Sequence, residues 1–302
     1  MEVLARYASI EHQQRWLKPL LAGEIRSCFA MTEPAVASSD ATNIESSIVR
    51  DGDSYVVNGH KWYATNATDP RCKIAIFMGK TDPGNPDRYK QQSMILVPMD
   101  SPGVQVVRAL PVFGYYGVPD RASEVIFDNV RVPVSNLLLG EGRGFEIAQG
   151  RLGPGRIHHC MRWVGICERA FDLMCRRAVS RELSPGVPLA SKQTIQNWIA
   201  ESRAGINAAR LMVLDAAQKM DAQGQNGVRV EISVIKFFCA NVLQDVLDRA
   251  IQVHGALGIT EDTLLSFWYR HERGARIYDG ADEVHKSRVA KEILKGYGWK
   301  VR

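Results

Sequence analysis

Four residues with acid–base side chains lie within seven positions near the end of the sequence. The run YDGADEVHKS (residues 278–287) contains Asp279, Asp282, Glu283 and His285 beside a glycine, just ahead of a helical pattern. Carboxylates and imidazoles bind metal ions or transfer protons. The run is therefore a metal site, a catalytic base with its neighbours, or the solvated start of a helix.

The spacing disfavours a metal. A dinuclear site in a helix bundle needs Glu-x-x-His motifs supplied twice, whereas Asp282 and His285 give a single Asp-x-x-His. Asp282 and Glu283 fall in the first turn of the next helix, where acids bond free amides and favour the helix dipole. Asp279 lies in the loop without such an explanation, so it is the better candidate for a positioned general base.

A second chemical candidate is the polar run CFAMTEPAVASSDATN (residues 28–43). Its backbone amides stand beside the hydroxyl groups of Thr32, Ser38, Ser39 and Thr42, with little bulk after Pro34. Such a segment lines a planar polar ligand and holds a phosphate. A polar loop that only covers the end of a barrel is an equal alternative.

The run KWYATNA (residues 61–67) is interpreted as a strand. On alternating strand faces, Tyr63 and Thr65 share one face. An aromatic ring next to a hydroxyl group suits stacking on a conjugated ring system. A strand aromatic that packs in the core is the alternative.

Two helical runs complete the candidates. GRLGPGRIHHC (residues 150–160) sets Arg156, which suits an anion, beside a Gly-Pro-Gly kink. Its adjacent histidines point about 100° apart on a helix, so one metal ion does not suit both. IQVHGALGIT (residues 251–260) ends a helix with Gly255 and Gly258, either as a cap or as bare backbone that a ligand approaches.

The elements around these residues change period once along the chain. Residues 26–133 hold short alternating runs separated by Gly and Pro, with turns expected at Asp51–Gly52 and at Asn58–Gly59. From about residue 144 onward, apolar residues recur at helical spacing in four long runs, broken near Pro185 and Gly224. The pattern predicts an α+β multidomain chain, with a β-barrel or β-sandwich domain followed by an antiparallel four-helix bundle.

Composition excludes several classes of protein. The chain has 302 residues, 45% of them hydrophobic and 24% charged, as in ordinary globular domains. Its net charge of +5 is not concentrated in a basic run, so no nucleic-acid partner is expected. No apolar run reaches the roughly 18 residues of a membrane span. The six cysteines form no CxxC pair and are expected to be reduced thiols in a soluble intracellular protein.

These pieces, in this order, resemble the acyl-CoA dehydrogenase family over nearly the whole chain. The runs FAMTEPAVASSD, KWYATN, RVPVSNLLLGEGRGF, VSREL, QVHGALG and YDGADEVH fall where the family places them. The Asp-Gly-x-Asp-Glu-Val-His loop is similar to that of the subgroup whose members sometimes carry a fused kinase-like domain. The resemblance divides the chain into a remnant of an N-terminal helical domain (residues 1–27), a middle β domain (28–135) and a four-helix bundle (142–302), with most of the N-terminal domain missing.

The resemblance implies FAD-dependent α,β-dehydrogenation of an acyl-CoA thioester in fatty acid β-oxidation. Asp279 aligns with the family's catalytic base, which removes a proton from Cα while a hydride leaves Cβ for flavin N5. One subfamily supplies a Glu from the first bundle helix instead, and that position is Gly155 here. The resemblance therefore favours Asp279.

The resemblance also assigns binding residues. Those implied for FAD are Phe29, Met31, Thr32, Ser38, Ser39, Tyr63, Thr65, Arg181, Gln252, Gly255, Gly258, Asp282 and Glu283. Those implied for the acyl-CoA substrate are Ser39, Arg156 and Gly280. The sequence departs from the family after Arg181, where the run to Pro188 is one residue longer and lacks a Phe, and at Ala256, which replaces a glycine.

Partners and location follow from the resemblance as expectations. An electron-transfer flavoprotein is the expected electron acceptor, and the chain is expected to form a homodimer or homotetramer. The compartment is the cytoplasm in a bacterium and the mitochondrion or peroxisome in a eukaryote. Two alternatives stay open, namely a catalytically impaired, truncated member that acts through oligomer assembly, and an acyl-CoA oxidase.

Overall fold

The computed structural model describes residues 1–115 and 122–300, without the side chains of residues 225 and 226. The described chain forms two compact units, Met1–Arg151 and Leu152–Arg302. The first unit holds the sheet and the second holds most of the helices. None of the described helices is long and apolar enough to cross a membrane.

The chain begins with short helical segments. They are α1 (Glu2–Tyr7), α2 (Ile10–His12), a π-helical turn (Gln13–Leu17) and α3 (Lys18–Leu21). The helical spacing of Trp16, Leu17, Leu20 and Leu21 predicts one apolar stripe here. Three of its members, Trp16, Leu17 and Leu20, pack on a core that includes Ile74, but Leu21 is 68% exposed. The π-helical turn changes the phase of the helix, so four apolar residues do not share one face.

Seven strands among the described residues of the first unit form one mixed sheet. They are β1 (Arg26–Ala30), β2 (Ser47–Asp51), β3 (Ser54–Lys61), β4 (Cys72–Lys80), β5 (Gln92–Pro98), β6 (Val104–Ala109) and β7 (Ser123–Pro133). The order is β1-β4-β2-β3-β7-β6, with β5 paired to β4. Strand β1 runs parallel to β4, which brings residues 26–30 beside a buried central strand.

Two local predictions in this sheet are wrong. The turn expected at Asn58–Gly59 is absent, because β3 passes through these residues with a bulge in its pairing to β7. Gly59 is needed there for space, since a Cβ atom would lie 2.1 Å from the side-chain oxygen of Ser46. The KWYATN strand ends at Lys61, so Tyr63 and Thr65 lie in the turn beyond it.

The second unit is built from long helices. These are α4 (Gly144–Ser180), α5 (Gln193–Gly227), α6 (Arg229–His254), α7 (Leu264–Glu272) and α8 (Asp282–Gly296), with a small hairpin of β8 (Glu182–Ser184) and β9 (Val187–Pro188) between α4 and α5. The predicted breaks are confirmed, because the hairpin surrounds Pro185 and Gly224 has a non-helical φ of 71°. Pro154 lies inside α4, which continues through it.

The core of the second unit is apolar and continuous. It includes Trp163, Ile206, Leu243 and Leu265, each fully buried. The predicted fold class, a β domain followed by a helix bundle, is confirmed. All six cysteines are free, as the sequence predicts.

Candidate active site

The loop before α8 carries the candidate base. Asp279 has φ 53° and Gly280 has φ 101°, so two consecutive residues lie in the left-handed region. Aspartate tolerates this region better than most residues, and glycine adopts it freely. The Asp279 side chain is only 15% exposed. The loop therefore presents a carboxylate in a largely enclosed position.

Side chains from two helices hold the backbone of Asp279. Its carbonyl oxygen accepts a hydrogen bond from Nε of Arg156 on α4 at 2.8 Å and faces Nε2 of His285 on α8 at 3.2 Å. Arg156 was predicted at the acyl-CoA site, and the structure places it directly beside the candidate base. The fold thus brings Arg156 together with Asp279 and Gly280, although Arg156 and Asp279 are 123 positions apart in sequence.

Gly280 is required by its neighbours as well as by its backbone angle. A Cβ atom built on Gly280 would lie 2.6 Å from Nε2 of His285. Real Cβ atoms do not approach so closely, and the imidazole is held by its bond to Asp279. Any side chain at Gly280 therefore disturbs the support of Asp279.

His285 is a buried, neutral imidazole. Burial, with the nearby charge of Arg156, lowers the pKa of His285 from 6.5 to about 4. At neutral pH the ring carries one hydrogen, which must lie on Nε2 if it donates to the carbonyl of Asp279. Nδ1 is then an acceptor, and it is buried without a partner among the described residues.

A buried lysine closes the same loop from α6. Nζ of Lys236 donates to the carbonyl oxygens of Ala275 at 2.6 Å and of Gly280 at 3.1 Å. Burial lowers the pKa of Lys236 to about 8, although the charge of Asp279 opposes this shift. Three helices therefore fix the loop that carries the base.

The carboxylate of Asp279 faces an aromatic cluster. Nε2 of His159 lies 3.2 Å from Oδ2 of Asp279. The His159 ring stacks on Trp163 at 6.0 Å and lies 5.3 Å from the ring of Tyr278. Nε1 of Trp163 donates to the buried carboxylate of Glu272 at 2.9 Å, which anchors the cluster.

Asp282 and Glu283 occupy the first turn of α8, as predicted, but their surroundings differ. Asp282 is 1% exposed, and its Oδ2 accepts hydrogen bonds from Arg276 at 2.8 Å and Asn241 at 3.0 Å. Its other oxygen, Oδ1, is buried without a partner in the described part of the chain. Glu283 is exposed. The carboxylate of Asp282 is thus held in place through Oδ2, while Oδ1 is left able to accept a further hydrogen bond.

A pocket of about 300 Å³ joins three of the predicted FAD residues at the other end of α6. Arg181, Gln252 and Gly255 line it, together with Arg177. Nε of Arg177 is buried without a hydrogen-bond partner in the described chain. Gly255 has φ 62° and open space above it. Two guanidinium groups and bare backbone make this pocket suitable for a phosphate-bearing ligand.

Gly258 does not line the pocket. It is buried, and a Cβ atom would lie 2.6 Å from the carbonyl oxygen of Ile251. This glycine permits the tight turn after α6, so its absence of a side chain already has a packing explanation.

In the first unit, a buried ion pair supports the predicted flavin loop. Lys61 is fully buried, and its Nζ lies 2.7 Å from Oε1 of Glu33 and 2.9 Å from the carbonyl oxygen of Met31. The carboxylate of Glu33 also accepts from the backbone amides of Glu45 and Ser46. Burial lowers the pKa of Lys61 to about 8. The end of β3 and the loop after β1 are therefore tied together.

The other residues predicted to bind the flavin from the first unit lie near the ion pair of Lys61 and Glu33. The amide of Trp62 donates to the carbonyl of Thr32 at 3.0 Å, and Oγ of Ser38 accepts from the amide of Glu33. Tyr63 has φ 51° and is 50% exposed, so its ring is presented outward from a constrained turn. Ser39 and Thr65 are exposed as well.

Phe29 and Met31 differ from these residues because both pack partly on the core of the first unit. The guanidinium group of Arg151 lies 5.1 Å from the Phe29 ring.

Sequence reasoning missed five polar residues that support these sites. They are Glu33, Lys61, Arg177, Lys236 and His285, of which only His285 is a candidate in the sequence analysis, as a metal ligand or a neighbour of the base and not as a support of the loop. Lys236 carries one available signal, because a lysine inside the apolar run VEISVIKFFCANVL must be buried or interrupt the apolar face. In the described residues, no group of three His, Cys, Asp or Glu side chains is arranged to hold a metal ion.

Two family models match the chain. "Acyl-CoA dehydrogenase, middle domain" matches residues 28–130, and "Acyl-CoA dehydrogenase, C-terminal domain" matches residues 142–294. The second match alone covers half of the chain. Each matched segment coincides with one of the two kinds of structure seen here, the strands and the long helices.

Proteins that are similar to this chain are named acyl-CoA dehydrogenases. "Acyl-CoA dehydrogenase family member 10" of Mus musculus is 55% identical over 98% of this chain, which spans 27% of that protein's length. "Probable acyl-CoA dehydrogenase FadE2" of Mycobacterium tuberculosis is 52% identical over 97% of the chain, which spans 72% of it. A solved structure of a putative acyl-CoA dehydrogenase from Mycobacterium abscessus is 48% identical, with a TM-score of 0.95 over 98% of this chain and 72% of that one.

Proposed function

The chain belongs to the acyl-CoA dehydrogenase family, and on that premise we propose that it catalyses FAD-dependent α,β-dehydrogenation of an acyl-CoA thioester with Asp279 as the base. One observation carries the proposal. Asp279 is a carboxylate with 15% exposure, and its backbone is held by Arg156 and His285. A general base needs such fixed placement to remove a weakly acidic proton.

The residues present fit the diphosphate part of FAD. The pocket beside α6 holds Arg177 and Arg181, and the Nε atom of Arg177 has no protein partner within the described chain. Arginine side chains recognise phosphate oxygens through charge-assisted hydrogen bonds. Gly255 and Gln252 add bare backbone and an amide side chain. We assign this pocket to the adenosine diphosphate group.

The flavin ring is assigned to the first unit. The exposed ring of Tyr63 and hydroxyl group of Thr65 belong to a turn whose position is set by Lys61 and Glu33. The proposed lining also includes Phe29, Met31, Thr32, Ser38 and Ser39. Asp282 and Glu283 remain proposed cofactor contacts from α8, and Oδ1 of Asp282 has no hydrogen-bond partner among the residues that the structure describes.

Bound FAD supplies the oxidised ring that accepts the hydride from Cβ of the substrate. The chain's own contribution is proton removal at Cα by a carboxylate oxygen of Asp279. The backbone amide of Asp279 is proposed to polarise the thioester carbonyl, which makes the Cα proton more acidic. Arg156 and Gly280 are proposed to lie against the acyl-CoA, and Ser39 is the substrate contact proposed from the first unit.

The proposed partners are an acyl-CoA substrate, an electron-transfer flavoprotein as acceptor and further copies of the chain in a homodimer or homotetramer. An oxidase would use oxygen as the acceptor instead. Oxygen consumption with acyl-CoA, measured with and without an electron-transfer flavoprotein, separates these acceptors. Rapid oxygen uptake without the flavoprotein would replace the dehydrogenase proposal with the oxidase.

The proposal is tested by the absorbance spectrum of the purified chain with FAD, before and after anaerobic addition of octanoyl- or palmitoyl-CoA. We expect a flavin band that bleaches with substrate. Asp279→Asn should keep the flavin band and lose bleaching, because the amide cannot accept the Cα proton. Asp262→Asn, a change at an exposed loop aspartate, is the matched control and should bleach normally.

Two outcomes would contradict the assignment. Bleaching by Asp279→Asn at the parent rate would place the base elsewhere. A chain that binds no FAD would leave only the alternative role in oligomer assembly.

A further inference from the structure

The carboxylate of Asp279 has a partner that the proposed function does not use. Nε2 of His159 lies 3.2 Å from Oδ2 of Asp279, with the two side chains 35% and 15% exposed. An ionised carboxylate only accepts hydrogen bonds. The hydrogen in this contact therefore lies on Nε2 of His159, both in the neutral tautomer that donates from Nε2 and in the imidazolium ion.

The His159 ring is held in one orientation by its surroundings. It stacks on Trp163 with an interplanar angle of 20°, and the Tyr278 ring lies 5.3 Å away on the side of the Asp279 loop. Trp163 is fully buried and bonds to Glu272 through Nε1. The hydroxyl group of Tyr278 lies 3.5 Å from the same carboxylate. A fixed aromatic cluster thus directs Nε2 at Asp279.

One face of α4 supports both ends of Asp279. Arg156 and His159 are three positions apart, so their side chains project from the same helix face. Arg156 donates to the carbonyl oxygen of Asp279, and His159 faces its carboxylate. Backbone and side chain of the candidate base are therefore positioned from a single rigid element.

Resting on the proposed function, we propose that His159 is the positioning residue of Asp279, donating from Nε2 to Oδ2 and so fixing the orientation in which the carboxylate takes the proton. In that step the Cα–H bond breaks, the proton goes to the carboxylate of Asp279, and the electron pair forms the new Cα–Cβ bond as a hydride leaves Cβ for oxidised flavin. His159 keeps its Nε2 hydrogen throughout. A carboxylate fixed before reaction spends no binding energy on rotation.

The other charged groups around Asp279 come from three helices and its own loop. Arg156 on α4 and His285 on α8 are directed at the carbonyl oxygen of Asp279. Lys236 on α6 binds the carbonyls of Ala275 and Gly280, and Tyr278 precedes Asp279 in the chain. A substitution at His159 leaves all of these residues in the sequence, so its effect reports the loss of the His159 side chain.

The test compares His159→Phe with His159→Gln in the FAD-loaded chain. Phe keeps the stacked ring and removes the donor, whereas Gln keeps an N–H donor. We expect Phe to slow anaerobic flavin reduction by octanoyl-CoA about 100-fold, with little change in KM. The acid limb of the pH profile of flavin reduction by this variant should move to higher pH, because the ionised carboxylate of Asp279 has lost a hydrogen bond that favours the ionised form. Gln should retain a rate within several-fold of the parent chain.

Two results would overturn the proposal. Parent-like rates in both variants would show that Asp279 needs no such positioning. A Gln variant as slow as Phe would show that the imidazole itself is required, as a direct acid or base. Failure of the proposed function looks different, because the parent chain then fails to bleach or Asp279→Asn still bleaches.

A second measurement needs neither cofactor nor turnover. Histidine labelled with ¹⁵N reports the hydrogen on each ring nitrogen, and the His159 signals are assigned by their loss in His159→Gln. We expect Asp279→Asn to shift the His159 ring nitrogens and leave those of the exposed His158 unchanged. Unchanged His159 signals would show that the contact with the carboxylate is absent in solution, which also overturns the proposal.

Discussion

Acidification should destabilise this chain through one buried histidine. His285 is 3% exposed, and burial together with Arg156 lowers its pKa from 6.5 to about 4. Above pH 6.5 the imidazole is neutral in both the folded and the unfolded chain. Below that value the unfolded chain binds a proton that the folded chain refuses until about pH 4. Stability is therefore fully present above pH 6.5 and is lost as the pH falls through this window.

The size of the effect follows from the two pKa values. Between neutral pH and pH 5, protonation of His285 in the unfolded chain raises the equilibrium constant for unfolding by a factor of about 30. This corresponds to a decrease of about 2 kcal/mol in the free energy of unfolding. The limit at still lower pH is about 3 kcal/mol. Carboxyl groups with lowered pKa, such as those of Glu33 and Glu168, lose their stabilisation only below their ordinary value of about 4.5. They therefore leave the window from pH 6.5 to 5 to the histidine.

The assay is urea unfolding at pH 7.5 and pH 5.0, followed by tryptophan fluorescence. His285→Gln keeps an N–H donor for the carbonyl of Asp279 but cannot be protonated. This variant should lose about 2 kcal/mol less than the parent chain on acidification. His158→Gln removes an exposed histidine of α4 and should follow the parent chain. The reasoning is refuted if parent and His285→Gln lose the same free energy between the two pH values.

Two further predictions concern the loop and the pocket. Gly280→Ala should lower the free energy of unfolding by about 2–4 kcal/mol, because alanine would be forced to φ 101° and its Cβ atom would lie 2.6 Å from Nε2 of His285. Gly165→Ala is the control, in mid-helix with nothing within 4 Å of the added Cβ atom, and should raise the free energy of unfolding by about 0.5–1 kcal/mol. Equal effects of the two substitutions in urea unfolding would exclude this account. Arg177→Ala should weaken FAD binding about 10–100-fold in an equilibrium titration, while Arg176→Ala, an exposed neighbour paired with Asp172, should leave it unchanged; unaltered affinity in both would remove the diphosphate from this pocket.

Much of the fold could be predicted from local patterns. A short continuous apolar run in QSMILVPM marks β5, because a strand that is buried on both faces needs apolar residues at successive positions. Helical spacing in VEISVIKFFCANVL marks α6, because a helix that buries one face repeats that face about every 3.6 residues. The helix start at Asp282 and Glu283 could be predicted for a different local reason, since the first turn of a helix favours acidic side chains. The family resemblance added FAD and the acyl-CoA, and the proposed domain limits at residues 27, 135 and 142 stay predictions.

Local patterns failed where pairing with a distant strand decides the backbone. Asn58–Gly59 has the composition of a turn, but the partner strand β7 accommodates it as a bulge. Tyr63 follows an alternating run, yet the strand ends at Lys61 and the ring stands in a turn with φ 51°. In both cases the competing interaction lies about 60–70 positions away in sequence, beyond the reach of any short window.

The sequence by itself determined that Asp279 occupies a loop before a helix. The ten residues YDGADEVHKS are enough for this, because Asp279 precedes a glycine and lies outside the first helical turn, where an acid would have a capping role. Only the tertiary structure decided what surrounds that acid. Arg156 and His159 reach it from more than 100 positions away, and Lys236 reaches the carbonyl of Gly280 across 44. Side chains become neighbours through the packing of whole helices, which maximises buried apolar area and leaves no mark in the spacing of the polar residues it brings together.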